Sequence, residues 1–143
     1  MIMDNTPASS QRLLLVVAAA MLNSDGCVLL AQRPQHKALG GLWEFPGGKL
    51  EAGEAPEAAL IRELKEELDV TVEPDALDPY AFASHSYADF HLLMPLYLVS
   101  HWTGEPKPHD AQALAWVRPQ DLRGYKMPPA DIVLVDRLME RVR

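Results

Sequence analysis

GGKLEAGEAPEAALIRELKEELDV, residues 47–70, is the stretch on which the reading of this chain turns. Its second half, RELKEELDV (62–70), has four acidic residues in nine, with Glu63, Glu66 and Glu67 at i, i+3 and i+4. On a helix those positions share one face, and like charges there repel by roughly 0.2–0.5 kcal/mol per pair. Pro56 suits a first helical position, where its missing N–H costs nothing. Ile61, Leu64 and Leu68, with Leu60, make a core-facing stripe. The spacing therefore predicts an amphipathic helix from Pro56 to Leu68 with an acidic face. A solvated face, eased by Arg62 four residues before Glu66 and by Lys65, is the plain reading of such a pattern.

The residues just upstream change the balance. GGLWEFPGGKLEAGE (40–54) is rich in Gly and Pro and brings backbone close to the same helix. Long loops inside compact domains are uncommon and usually functional. Three carboxylates beside backbone carbonyls make a hard-oxygen site suited to Mg²⁺ or Mn²⁺, and cation binding would relieve the repulsion. The single cysteine and five scattered histidines offer no zinc-ligand spacing. Gly47-Gly48-Lys49 is not a phosphate loop of the Walker type, since Leu50 follows the lysine and no Gly stands five residues before Gly48.

Working outward, 143 residues suffice for one domain around one core. A hydrophobic share of 48% with 23% charged residues is that of a globular chain. The net charge of −7 opposes non-specific binding to nucleic acid or to an anionic membrane, though a bridging cation still admits a polyphosphate. Cys27, alone, can form no intrachain disulfide, which fits a reducing cytoplasm. LLLVVAAAML (13–22) is too short to span a bilayer. With the turn residues NSDG (23–26) and the second apolar run CVLLAQRP, it reads as a β-hairpin. Residues 1–10 read as a frayed, disordered leader. Strands are expected near 12–22, 27–32, 43–45, 70–72 and 114–117, with two more between 81 and 102. A helical turn is expected at Pro119–Leu122 and a last helix from about Pro129 to Val142. Strands alternating with helices predict a single mixed α/β domain over residues 1–143.

Gly48, five residues, Glu54, seven residues, then Arg62-Glu63-Leu64-Lys65-Glu66-Glu67-Leu68-Asp69-Val70 resembles the Nudix box, Gly-x5-Glu-x7-Arg-Glu-U-x-Glu-Glu-x-Gly-U, with U apolar. One position departs: Asp69 stands where the family has Gly, just past the helix end in a left-handed conformation that Asp tolerates better than most residues. GLWEFPGG (41–48), HWTGEP (101–106) and MPPAD (127–131) resemble the MutT-like branch, so the similarity runs from about residue 13 to 138.

The resemblance implies an α/β/α sandwich with a mixed β-sheet and Mg²⁺-dependent hydrolysis, with Mn²⁺ as a substitute, of a nucleoside triphosphate to monophosphate and pyrophosphate. It implies that Glu63, Glu66 and Glu67 hold the metal, with the Gly47 carbonyl and Asp110 as further ligands, and that one glutamate, Glu63 first, takes a proton from the attacking water. Gly48, Glu54 and Arg62 become structural members of the box, the last two as an ion pair. Arg33, Glu44, Phe45, Pro46 and Asp131 fall at nucleotide-binding positions. Leu92 stands where it could flank a base with Phe45. His85, His91, His101 and His109 are read as structural or surface residues.

Asp131 bears on the base. An ionised Asp only accepts hydrogen bonds, which suits the N4 amino group of cytosine, whereas O6 of 8-oxoguanine would require the protonated acid. The implied substrate is 8-oxo-dGTP, with CTP or 5-methyl-dCTP second. RNA 5′ ends, dinucleoside polyphosphates and a non-catalytic nucleotide-sensing module are further alternatives. Acting on a free nucleotide, the chain is expected to form no stable nucleic-acid complex, to avoid membranes, and to work as a monomer or homodimer.

Overall fold

The computed structural model describes residues 12–141; the expected leader and the last residue of the final helix lie outside that range. Its elements are β1 (Arg12–Met21), β2 (Val28–Gln32), β3 (Trp43–Glu44), β4 (Gly47–Lys49), α1 (Pro56–Leu68), β5 (Leu77–Ser86), β6 (Phe90–Val99), β7 (Ala113–Val117) and α2 (Pro129–Arg141), with 3₁₀ turns at Pro74–Ala76 and Pro119–Gly124. No described helix is long and apolar enough to cross a membrane.

A four-stranded sheet runs β4-β1-β6-β5 and a three-stranded one β3-β2-β7. The larger sheet is mixed: β1 lies parallel to β6, with Leu14 beside Leu92 and Ala18 beside Leu96, and antiparallel to β4. Side chains alternate across a strand, so β1 feeds two cores. Val17, Ala19 and Met21, with Tyr97 and Val99, pack under Leu60, Leu64 and Leu68 of α1. Ala18 and Ala20, with Leu96 and Leu98, pack against Leu134, Val135 and Leu138 of α2. A helix on each face makes the expected α/β/α sandwich.

Four local expectations are corrected. β1 and β2 are not a hairpin: beyond the single Leu22–Val28 bridge they part into different sheets. The cue lies in VVAAAM, a continuous apolar run rather than an alternating one. Strands buried on both faces have that character, and the parallel neighbour β6 satisfies it. The expected strand at 70–72 shrinks to one bridge, Thr71 to Thr103. The long segment before α1 holds two short strands rather than one, and β5 begins at Leu77, earlier than the sequence signals because Asp78 and Pro79 disguise its start. Pro79 is accommodated at the sheet edge beside a bulge.

α1 starts at Pro56 with no side-chain cap and ends at Asp69, whose φ of 60° and ψ of 37° are left-handed and whose N–H donates to the Lys65 carbonyl. That is the conformation the box pattern asks of a glycine.

Candidate active site

β4 pairs with β1 at the sheet edge, and its glycines set how closely β1 on one side and the Glu63 side chain of α1 on the other approach it. A Cβ on Gly47 would collide with the Val17 carbonyl of β1, and one on Gly48 would overlap the Glu63 carboxylate. Gly48 therefore makes the space that Glu63 occupies. Just downstream, Glu51 and Glu54 close a turn through the Glu54 N–H to the Glu51 carbonyl (3.0 Å), with Gly53 at φ 77°. That turn delivers the Glu54 carboxylate to Arg62.

Arg62 organises the box. Its Nε and Nη2 bond both Glu54 oxygens at 2.7 and 2.9 Å, a bidentate pair, and Nη2 also donates to the Lys49 carbonyl at 3.1 Å. Nη1 reaches Glu63 at 3.1 Å and Glu66 at 3.3 Å. The guanidinium holds the Glu54 carboxyl down to about 2. One cation thus ties the turn, β4 and the acidic face of α1 together.

The three box glutamates do not share one environment. The Glu63 side chain is 17% exposed and the Glu66 side chain 58%, the latter turned outward to Arg62. Glu67 is half-buried and in hydrogen-bond contact with Glu63. Its carboxyl is pushed well above the carboxylate range, by burial first, then by Glu63, Glu44 and Asp110. Among the described residues, no three His, Cys, Asp or Glu side chains converge closely enough to hold a cation unaided. Two converge here, and a third carboxylate, Glu66, stands on the same helix face. The donors are all hard oxygens and the surplus negative charge calls for a positive partner, which fits a divalent cation that keeps part of its water shell.

Asp110 is exposed, in the loop before β7, yet its charge acts on Glu67. On the other side stands an ion pair, Arg33 Nη1 to Glu44 at 3.2 Å, with Arg33 Nε held by the Ala38 carbonyl at 2.8 Å. Glu44 sits in β3; burial raises its carboxyl and the Arg33 charge partly offsets this. Phe45 and Leu92 are both buried in the α2-side core. Pro46, also buried, gives its carbonyl to the Ala19 N–H at 2.9 Å.

Asp131 is the one buried charged residue among the described residues, 5% exposed in the first turn of α2. Its carboxyl accepts from the Phe45 N–H and is pushed up to about 8, chiefly by burial and then by Glu44, with the Arg33 charge opposing. Tyr87 was not singled out in the sequence. Its hydroxyl accepts from the Ala130 N–H at 3.3 Å, and its ring packs on Phe90 at 5.2 Å between centroids. Only the folded arrangement of the β5–β6 turn against α2 reveals it. Of the histidines, His91 bridges the Ser84 and Ser86 hydroxyls at 2.7 Å each. His109 enters through its backbone, whose N–H donates to the Glu67 carbonyl at 3.1 Å.

The chain is similar to proteins of known kind over most of its length. The NUDIX domain profile matches residues 17–137. The CTP pyrophosphohydrolase of Escherichia coli K12 is 38% identical over 128 residues, 88% of this chain and 92% of that protein. An 8-oxo-dGTP diphosphatase of Haemophilus influenzae is 35% identical over 130 residues, 90% of this chain and 93% of that protein. The solution structure of the E. coli ORF135 protein superposes with a TM-score of 0.80 at 36% identity, covering 94% of each chain. With the box motif, the sandwich fold and similarity to these relatives over most of its length, the chain belongs to the Nudix family.

Proposed function

We propose that the chain is a MutT-like nucleoside triphosphate pyrophosphohydrolase, Mg²⁺-dependent with Mn²⁺ as a substitute, that converts 8-oxo-dGTP to monophosphate and pyrophosphate in the cytoplasm. It acts on the free nucleotide as a monomer or homodimer and forms no stable nucleic-acid complex. The observation that carries the reading is the Glu63–Glu67 contact, held over Gly48 by an arginine whose other arm is locked to Glu54. The cation would be held by Glu63, Glu66 and Glu67, with Asp110 and the Gly47 carbonyl. Once bound, it would neutralise the triphosphate and lower the pKa of the attacking water. Phosphoryl transfer otherwise depends on positioning and charge stabilisation.

The remaining steps belong to the chain's own side chains. Glu63 receives the proton of the attacking water, oriented by the Arg62 Nη1 contact. Arg33 offers its guanidinium to a phosphate, which requires it to share or release the Glu44 pair. Phe45 and Leu92 floor the base pocket, and Asp131 meets the edge of the base. A carboxyl pushed up to about 8 is protonated near neutral pH. It then presents both a donor and an acceptor, complementary to the O6 acceptor and N7–H donor of 8-oxoguanine.

A cytosine nucleotide, CTP or 5-methyl-dCTP, is the second reading, and the similarity to a CTP pyrophosphohydrolase favours it. The experiment is pyrophosphate release from 8-oxo-dGTP, dGTP, CTP, 5-methyl-dCTP and 2-hydroxy-dATP with Mg²⁺, compared by kcat/KM. Preference for 8-oxo-dGTP over dGTP supports the first reading and preference for cytosine nucleotides the second. Absence of turnover on all five removes both and directs attention to RNA 5′ ends and dinucleoside polyphosphates.

A further inference from the structure

Asp69, the one departure from the box pattern, reaches past the helix it terminates. Its carboxylate lies 3.2 Å from Lys65 Nζ on α1 and 3.8 Å from Lys107 Nζ on the segment leading to β7. That segment is laid along the end of α1 by its backbone. The Lys107 N–H donates to the Leu68 carbonyl at 2.9 Å and the His109 N–H to the Glu67 carbonyl at 3.1 Å. Thr71 and Thr103 exchange a reciprocal pair of bonds, both 2.9 Å. Directly after Thr103, Gly104, at φ 104°, passes so close that a Cβ would lie 3.0 Å from the Asp69 carbonyl. The next residue after this strap is Asp110, whose charge is felt at Glu67.

We propose that Asp69 is a positioning residue, whose carboxylate clamps Lys107 against the end of α1 and so holds Asp110 beside Glu67. The role of Asp110 rests on the metal-dependent reading above; the clamp itself does not. A box glycine supplies the same left-handed backbone but nothing to grip the strap. Here one side chain does both, because Asp accepts that conformation at modest cost. The clamp is two-sided: Lys65 fixes one carboxylate oxygen, so the other is presented to Lys107 rather than left to rotate.

The test begins on metal-free protein, with amide hydrogen exchange at Lys107 and His109 in Asp69→Gly and Asp69→Asn. Exchange is referenced to the Ala19 amide in the sheet centre, which corrects for any change in global stability. Both variants are expected to exchange about three- to five-fold faster at the two strap amides, the range an exposed ion pair allows. Lys107→Gln should reproduce this, and the Asp69→Gly, Lys107→Gln double variant should add nothing further. Unchanged exchange in Asp69→Gly would overturn the clamp.

A Mn²⁺ titration then asks whether the clamp reaches the site. Asp69→Gly should weaken binding about three-fold, and the same change in an Asp110→Asn background should do nothing. A loss that persists undiminished in that background overturns the route through Asp110. Full pyrophosphohydrolase activity in Glu67→Gln would instead sink the reading of the site while leaving the exchange result intact.

Discussion

Replacing Asp131 by Asn should make the protein more stable, and only above about pH 4. In the folded chain this carboxyl is buried, faces Glu44, and is pushed up to about 8 from the ordinary 3.8. Arg33 and the Phe45 N–H pull the other way but do not win. The folded state therefore keeps its proton across a range in which the unfolded chain has lost it. Below pH 3.8 both states are protonated and the group costs nothing. From there upward the unfolded state gains about 1.4 kcal/mol per pH unit until the folded carboxyl also ionises near 8. At pH 7 the penalty reaches at most about 4 kcal/mol.

The amide of Asn carries no proton to lose. Its carbonyl can accept from the Phe45 N–H and its NH₂ can donate toward Glu44, so it copies the protonated acid. Urea unfolding of both forms at pH 4.5, 6 and 7.5, without metal, gives the difference directly. We expect a difference of at most about 1 kcal/mol at pH 4.5 and an advantage of about 2–5 kcal/mol for Asp131→Asn at pH 7.5, with unchanged m. Glu44 helps raise the Asp131 carboxyl, so Glu44→Gln should lower the pH at which the penalty levels off without removing the penalty. A difference that does not vary with pH, or an Asp131→Asn variant weaker than the parent at pH 7.5, would falsify the protonated assignment and leave an ionised Asp131 anchored by Arg33.

The box itself yields three more outcomes. Glu67→Gln should lower kcat by at least about 100-fold, as expected when a group that helps place or neutralise charge is lost; near-normal steady-state turnover would remove Glu67 from the site. Gly48→Ala and Gly47→Ala should separate function from folding. The first displaces only the Glu63 side chain and should cost activity with little change in Tm. The second meets backbone at Val17 and should destabilise by about 1–3 kcal/mol; comparable Tm losses in both would refute the distinction. Glu54→Gln should lower Tm at pH 6, and the deficit should close as pH falls from 4.5 toward 2. The folded Glu54 carboxyl is held at about 2 by Arg62, so its stabilisation is present above the unfolded value and lost below the folded one. A deficit that stays constant over that interval would mean that the charge of Glu54 plays no part.

What the sequence could disclose depended on how local the information was. The acidic face, the core stripe and the left-handed residue 69 all lie within one helix and its cap, where spacing converts directly into geometry. The pairing of β1 did not, because a ten-residue apolar run is compatible with a hairpin or with a central parallel strand. The choice was made by β6, whose register partners lie 78 positions on, as Arg12 beside Phe90. Asp131 shows the same limit: the sequence could place it at a helix start, while its burial comes from β3 and α2 closing over it. The strap over α1 was invisible for a further reason, since its backbone bonds carry no residue signature.

The acidic face itself can be weighed against what holds it. Leu60, Leu64 and Leu68 are fully buried beneath α1, each stabilising the fold by about 1.5–3 kcal/mol. Repulsion among Glu63, Glu66 and Glu67 opposes this by roughly 0.2–0.5 kcal/mol per exposed pair, and is relieved at Glu67, where burial favours the protonated carboxyl. Arg62, bonded at once to Glu54, Glu63 and Glu66, returns part of that loss. The apolar side of α1 is thus strong enough to carry a polar side that the helix alone would not favour. On α2, whose polar face carries the Arg137–Glu140 pair, no comparable run of like charge occurs, so its leucines have no such repulsion to offset. A carboxylate cluster can be maintained without its cation only where burial elsewhere on the same helix exceeds the repulsion, and α1 meets that condition.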